Sequence, residues 1–466
     1  MQLKDKQLGK RLALATGALL SGAQSQAADG DWLVSSAMLL YSESDSRVQA
    51  VEPVLNLMRQ YEDESSFNVR LVFDALTGAS PNGAMPARVA QTFTSASAAG
   101  RNVSSASVAG KTITSASTRS AASEDDEERG TYTTAPGDLP LDPSFEDSRG
   151  VVALSWVRPL ADQYTLNLGG ALSAEGDFTS LSVNAALARD FNNKATTVSA
   201  GLNLEADSIN PHGGVPEPLS AYAAHDTQGT SDSKQVTDLM LGVTQVMNRR
   251  WLMQFNLGFS QSSGYQNDPY KILTVASDGD LMADPNDFSS YLYLYESRPS
   301  DRQKTSLYWQ NKVAVGSDDV MDLGLRYMTD DWGIESQTAD LSYHWQLSPG
   351  VYLEPHYRYY QQTAADFWRP FVTSTEYQSL THTGLTPAFD YASSDPRLAA
   401  FSADTVGIKL GFPLQRDEEF SVRAEMYQQH DKNTLRTVSE GSDLSGMKQF
   451  SPLSASWIQL GYSFRW

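Results

Sequence analysis

The chain has 466 residues, no cysteine, 35 Lys and Arg against 56 Asp and Glu, and a formal net charge of -21. Its negative mean hydropathy excludes a bundle of membrane-spanning helices, each of which needs ~20 consecutive apolar residues. The charge argues against nucleic acid as a partner, and the lack of cysteine removes disulfides, thiolate metal sites and cysteine nucleophiles while suiting an oxidising compartment.

Residues 1–27 have the three-part layout of a bacterial secretory signal. Lys4, Lys6, Lys10 and Arg11 precede an apolar stretch from Leu12 to Leu20, and Ser25 and Ala27 are placed for a cut after Ala27. The competing reading is an amphipathic N-terminal helix of a cytosolic protein. On the first reading the mature chain, 28–466, lies outside the inner membrane.

From Trp32 onward the dominant pattern is period-two alternation. In "RWLMQFNLGFSQ", Trp251, Met253, Phe255, Leu257 and Phe259 alternate with Leu252, Gln254, Asn256, Gly258 and Ser260. A strand has this pattern when one face is apolar and the other wet or small. In chain order the pattern predicts strands near 31–43, 47–58, 66–76, 148–158, 163–174, 178–190, 195–207 and 235–247. It continues with 250–263, 304–316, 319–330, 334–347, 351–363, 401–413, 418–430 and 453–466. These are about sixteen segments of the ~9–11 residues a tilted strand needs to cross a bilayer. Fourteen strands is the alternative count.

The long connections are 77–147, 208–234, 264–303, 364–400 and 431–452, and each follows an odd-numbered strand. Connections after even strands are short. A transmembrane antiparallel β-barrel with both termini in the periplasm predicts this sorting, with long loops outside and short turns inside. A soluble sandwich has no reason to sort loops by parity.

The first long loop opens with Thr77, Gly78, Ser80, Pro81, Asn82 and Gly83. Pro-Asn-Gly is a turn signal, and without a Lys or a following helix the stretch is not a phosphate loop. It is expected as a turn at the barrel mouth, with a loop docked into the lumen as the alternative. Three decapeptides with a shared "SAS" core follow, then "SEDDEER". Such composition predicts a flexible external loop, either a sticky surface tract or a drifted repeat.

Alternation on strands eleven to thirteen places Asp322, Arg326, Asp340, His344, Glu354, His356 and Arg358 toward the lumen. If Ser348-Pro349-Gly350 is a three-residue hairpin loop, Leu347 pairs with Val351. That register sets His344 opposite Glu354, Ser342 opposite His356 and Asp340 opposite Arg358, close enough for an ion pair. Two roles fit this patch: a filter or loop anchor in the lumen, or a structural ladder of paired charges. No metal site is expected from six scattered histidines, and no cofactor. Asp330, Asp331 and Glu335 near the outer rim have no histidine beside them in sequence, and "DDWGI" reads as an external turn.

The last strand puts Ile458, Leu460, Tyr462, Phe464 and Trp466 on one face and Gln459, Gly461, Ser463 and Arg465 on the other. The first set suits lipid, with aromatics at the interface. Gln459, Gly461, Phe464 and Trp466 fill the pattern of a terminal signal read by barrel-assembly machinery.

Several runs resemble a family of Gram-negative outer-membrane proteins known as domain of unknown function thirty-five-seventy. They include "DALTGASPNGA" at Asp74–Ala84, "GDLPLDPSFEDSR" at Gly137–Arg149, "YLEPHYRYYQQTAADF" at Tyr352–Phe367 and "SDPRLAAFSADTVGIKLG" at Ser394–Gly411. The resemblance implies an outer-membrane barrel and supplies no catalytic residues. Three functions stay open: a channel for small solutes, a loop-plugged surface or assembly scaffold serving a periplasmic partner, and, more weakly, a hydrolase at the rim. Outer-membrane lipids and lipopolysaccharide are the expected surroundings.

Overall fold

Alternating residues give each strand a greasy and a polar side, and sixteen such strands bury neither side against a second layer. They close on themselves. In the computed structural model the barrel strands are β1 (Trp32–Glu43), β2 (Gln49–Gln60), β3 (Ser66–Thr77), β4 (Glu146–Ala161), β5 (Tyr164–Ala174), β6 (Phe178–Phe191), β7 (Thr196–Ile209) and β8 (Asp232–Asn248). They continue as β9 (Trp251–Gly264), β10 (Asp301–Val315), β11 (Asp319–Asp330), β12 (Glu335–Ser348), β13 (Val351–Gln362), β14 (Phe401–Pro413), β15 (Glu419–Asp431) and β16 (Ser454–Arg465). The structure describes residues 32–45, 47–78, 81–95, 131–142, 145–161, 163–285, 288, 290–381, 389–414 and 418–466. Residues 1–27, Ser80 and most of the decapeptide tract lie outside the described residues.

Every strand pairs antiparallel with its neighbour in sequence, and β16 closes the barrel on β1 from Leu33↔Arg465 to Glu43↔Ala455. The sixteen sequence segments match the sixteen strands, with ends agreeing to within three residues. Sixteen is therefore the count, not fourteen. No helix among the described residues is long and apolar enough to cross a membrane.

Leu181, Val183, Leu202, Leu241, Phe255, Leu307, Val406, Ile408 and Ile458 are exposed on the outer face. A contiguous apolar belt of this size is untenable in water and marks a lipid contact. Short turns close the opposite end from the long loops. At Pro349-Gly350 the turn is one residue tighter than the sequence register assumed. Ser348, not Leu347, pairs with Val351, and a bulge between Gln346 and Ser348 absorbs the difference. Gln346 Nε2 fills that bulge by donating to Ser348 O at 2.6 Å and Val351 O at 3.2 Å.

The long loops carry their own structure. Ile272–Ser277 is the centre of a small sheet, flanked antiparallel by Tyr293–Tyr295 and Asp280–Leu281 and joined in parallel by Val372–Thr373. Hairpins pair Gln91–Thr94 with Thr131–Thr134 and Val215–Pro216 with Thr227–Gly229, and Ser374–Thr381 is a helix. In the first long loop Met85 and Phe93 are buried, while most of the decapeptide tract expected to be flexible lies outside the described residues.

Candidate functional site: a polar chamber beneath a folded cap

The loops meet over the outer mouth. One apolar cluster joins Met85 and Ala87 of the first long loop, Ala276 and Leu281 of the third, Phe371 of the fourth and Leu444 of the fifth. A second packs Leu273, Val275, Leu292 and Leu294 against Val372 and Ala392, with Leu219 of the second loop beside it. Backbone bonds tie the same loops: Ile272 N to Asn82 O at 2.8 Å, Arg88 N to Asp443 O at 2.9 Å, and Leu444 N to Gly279 O at 2.9 Å. These loops leave the barrel after β3, β9 and β15, so they reach inward from three well-separated sides and join above the lumen.

The Pro-Asn-Gly turn sits inside this cap rather than on its surface. Asn82 Nδ2 donates to Tyr132 Oη at 3.0 Å, and Asn82 Oδ1 accepts from Ala84 N at 2.9 Å. Gly83 has φ +99°, and a Cβ there would lie 2.4 Å from Ile272 O, so only glycine fits. Pro81 O accepts a hydrogen bond from the Lys271 ammonium. At the start of the stretch, Thr77 pairs with Glu146 at the end of β3, and Gly78 N donates to Phe145 O at 2.9 Å.

A buried ionic latch holds the third loop to the fourth. Arg298 reaches Glu296 and Asp395 at 2.8 Å each, and Arg397 reaches Asp268 at 2.9 Å and also binds Asp395. Ser393 Oγ donates to Glu296 at 2.5 Å. With Lys271, three bases balance three acids, the condition under which buried charge is tolerated. Burial pushes the Asp395 carboxyl up, but Arg397 and Arg298 outweigh it and hold it well below the usual carboxylate range. Burial dominates at Glu296 and raises its carboxyl despite Arg298.

Beneath the cap lies a chamber of about 1450 Å³, lined by all sides of the barrel and roofed by loop residues including Asn82, Tyr132, Tyr222, Tyr270 and Tyr295. Its walls differ. Strands β6 to β9 contribute mainly small neutral groups such as Ser182, Asn184, Gly201 and Gly258, with Asp238 among them, whereas β10 to β13 contribute Tyr308, Arg326, Asp340, Arg358 and Tyr360.

The charged wall is a connected ladder. Asp340 faces Arg358 in register, and Arg358 Nε donates to Asp340 Oδ2 at 2.6 Å. His356, opposite Ser342, has Nε2 3.3 Å from Asp340 and Nδ1 3.1 Å from Glu425. Arg423 joins Glu425 to Glu354 at 3.0 Å each, and His344 Nδ1 lies 3.7 Å from Glu354. Glu425 reaches His356 across β14 because Gly407 lies between them; a Cβ there would sit 2.5 Å from Glu425 Cγ. Asp322 belongs to a separate pair, accepting from Gln310 Nε2 at 2.8 Å and lying 3.1 Å from Lys312. Arg326 points into the same chamber and joins neither group.

Arg423 and Glu425 are the members that strand-by-strand reading missed. They stand on β15, separated in sequence from β13 by a long loop, and their only local signal is Gly407 facing the lumen. At the rim, Asp330 is committed to structure. It accepts from Arg302 Nε at 2.9 Å and from the backbone of Trp332 and Ile334 at 3.1 and 2.8 Å.

At the seam, Trp32 and Trp466 exchange backbone hydrogen bonds of 2.8 and 2.9 Å. Gln459 lines the chamber, while Tyr462 and Phe464 stack on the outer face with ring centroids 5.4 Å apart. A Cβ on Gly461 would lie 2.7 Å from Ser421 Oγ. Trp466 is 82% exposed.

A closed antiparallel barrel with an apolar belt, a polar lumen and long loops at one end is a transmembrane β-barrel of the outer-membrane type. The chain belongs to the family described as Protein of unknown function (DUF3570), which matches residues 9–464. Comparison with curated proteins gave no match. Among solved structures, a mutant of the ferric enterobactin receptor PfeA from Pseudomonas aeruginosa is similar at TM-score 0.40 and 10% identity over 90% of this chain, which spans 57% of that receptor. OpdK from Pseudomonas aeruginosa, solved with vanillate, is similar at TM-score 0.37 and 9% identity, covering 94% of this chain and 99% of OpdK. A bacterial polysaccharide outer membrane secretin is similar at TM-score 0.41 and 6% identity, covering 94% of this chain and 100% of that one. These likenesses concern strand architecture only.

Proposed function

We propose that the protein is a loop-gated outer-membrane channel for small polar solutes. The observation that supports this is the cap: loops from three sides of the barrel share apolar clusters above a chamber of about 1450 Å³ with charged and polar groups on its wall. A sixteen-stranded barrel is wide enough for an aqueous passage, so its loops set when the path is open. The charged wall then borders the path below the gate. Residues 1–27 serve as the secretion signal in this reading, and Gln459, Gly461, Phe464 and Trp466 as the signal for barrel-assembly machinery. Lipopolysaccharide surrounds the outer rim.

The same apolar packing also favours a second reading, a permanently plugged scaffold serving a periplasmic partner. The absence of native cysteine allows a clean test. Ser297 and Ala392 exchange two backbone bonds of 2.9 Å between the third and fourth loops, a spacing that accepts a disulfide. In proteoliposomes, the Ser297→Cys/Ala392→Cys variant is expected to admit small sugars when reduced and to stop when oxidised. Uptake independent of redox state overturns the gate, and no uptake in either state supports the scaffold.

A further inference from the structure

We infer that the charged wall carries a binding site for a small anion bearing a carboxylate or phosphate group, anchored by Arg326 and flanked by Tyr308 and Tyr360. The inference builds on the channel reading, in which the chamber is a solute path, and names the class of solute.

The argument starts from pairing. On the inner face of β10 to β13, Arg302 is paired with Asp330, Lys312 with Asp322 and Arg358 with Asp340. Lys304 also has an interaction partner. Arg326 alone among these cations has neither a carboxylate nor a hydrogen-bond partner among the described residues, yet it is part of the chamber lining and only partly exposed. A guanidinium drawn out of bulk water without an anion is unfavourable. Here the missing counterpart has an open chamber from which to arrive.

The surroundings suit an anion that also has an organic body. Register places Tyr308, Arg326, Thr338 and Tyr360 in one row across four strands, all lumen-facing. Gly324, next on that face of β11, leaves room for the Tyr308 side chain to fold across the strand; its hydroxyl would lie 2.9 Å from a Cβ at that glycine. Two tyrosines therefore share the row with Arg326, Tyr308 on the adjoining strand and Tyr360 beyond Thr338, with Tyr360 Oη donating to Gln362 Oε1 at 2.7 Å. Arg358, in the adjacent row, spends Nε on Asp340 and keeps a side chain that is 53% exposed, so a second guanidinium fork is at hand. The fork geometry of arginine matches carboxylate and phosphate oxygens in pairs. The neighbouring stretch of wall on β6 and β7, with small residues such as Ser182, Asn184 and Gly201, leaves volume for the rest of the solute. A chain with net charge -21 does not attract anions at long range, so capture has to come from this local geometry.

The test is calorimetric titration of the refolded full chain in detergent with succinate, with inorganic phosphate and with glucose as a neutral control. Arg326→Gln and Arg326→Lys are compared, each checked for folding by heat-modifiable gel mobility. The expected result is binding of succinate or phosphate that weakens about tenfold or more in Arg326→Gln, the scale of one charge-assisted contact. Arg326→Lys should recover part of it, and glucose should give no heat. Whichever of succinate and phosphate binds more tightly identifies the anionic group. No anion binding by the wild type, or equal binding by wild type and Arg326→Gln, overturns the site. Because the titration needs no transport, redox-independent uptake in the disulfide experiment would remove the gate and leave this result standing. Gated uptake without anion binding would remove only the site.

Discussion

Glu376 ties the fourth loop to the fifth. Its carboxylate accepts from Arg436 at 2.9 and 3.0 Å and from Arg369 at 3.2 Å. Burial pushes this carboxyl up, but hydrogen bonds from Arg436 and Thr373 outweigh burial and hold it at about 2, below its usual 4.5. A folded value below the unfolded one means a contribution that is complete above about pH 4.5 and is lost as pH falls toward 2. Channel-opening frequency in planar bilayers should therefore rise as pH drops through that window, and Glu376→Gln should flatten the rise; an unchanged profile in the variant would remove Glu376 from the gate. Leu273 is fully buried in the cap. Leu273→Ala should cost about 2–5 kcal/mol of cap stability, read as protease-sensitive loops on a barrel whose heat-modifiable mobility is unchanged. At this scale the sequence is informative about direction and weak about partnership. Alternation puts Asp340, His356 and Arg358 on the lumen face, but nothing in sequence brings Glu425 to His356 across β14.

The β12–β13 hairpin is an element whose register was readable from its turn residues, apart from the last pair. Asp340 and Arg358 are directly opposed and bonded, but the Arg358 side chain is half exposed. A double-mutant cycle should therefore give a coupling of only about 0.5–1 kcal/mol; a value of several kcal/mol would mean the pair is shielded from water. Strand β16 carries Tyr462 and Phe464 outward, and replacing Phe464 and Trp466 by serine should reduce outer-membrane assembly, measured as the heat-modifiable fraction in membranes. Normal insertion would count against the terminal signal. Barrel strands were legible because each has two unlike faces. The cap strand Ile272–Ser277 was not: buried on both sides, "ILTVAS" is a short apolar run without period, and such a run does not declare itself as strand or helix.

For the whole molecule, loop parity was the strongest signal in the sequence, because one missed strand would have reversed the sorting. It locates the long loops at one end and says nothing of how they fold, since the cap exists only where loops distant in sequence meet. Hence the barrel could be read in advance, while the cap, its ionic latch and the chamber could not. The central claim is that the cap closes a barrel otherwise wide enough to conduct. Ser263 and Asp301 pair directly at the top of β9 and β10, so a two-residue Asn-Gly turn can replace residues 264–300 and remove the central strand of the cap while sparing the wall. Single-channel conductance of this variant and the full chain in planar bilayers tests the claim most directly. The expected result is a large steady conductance for the variant and brief, intermittent openings for the full chain. A full chain that conducts as steadily as the variant, or a variant that stays silent, would contradict it.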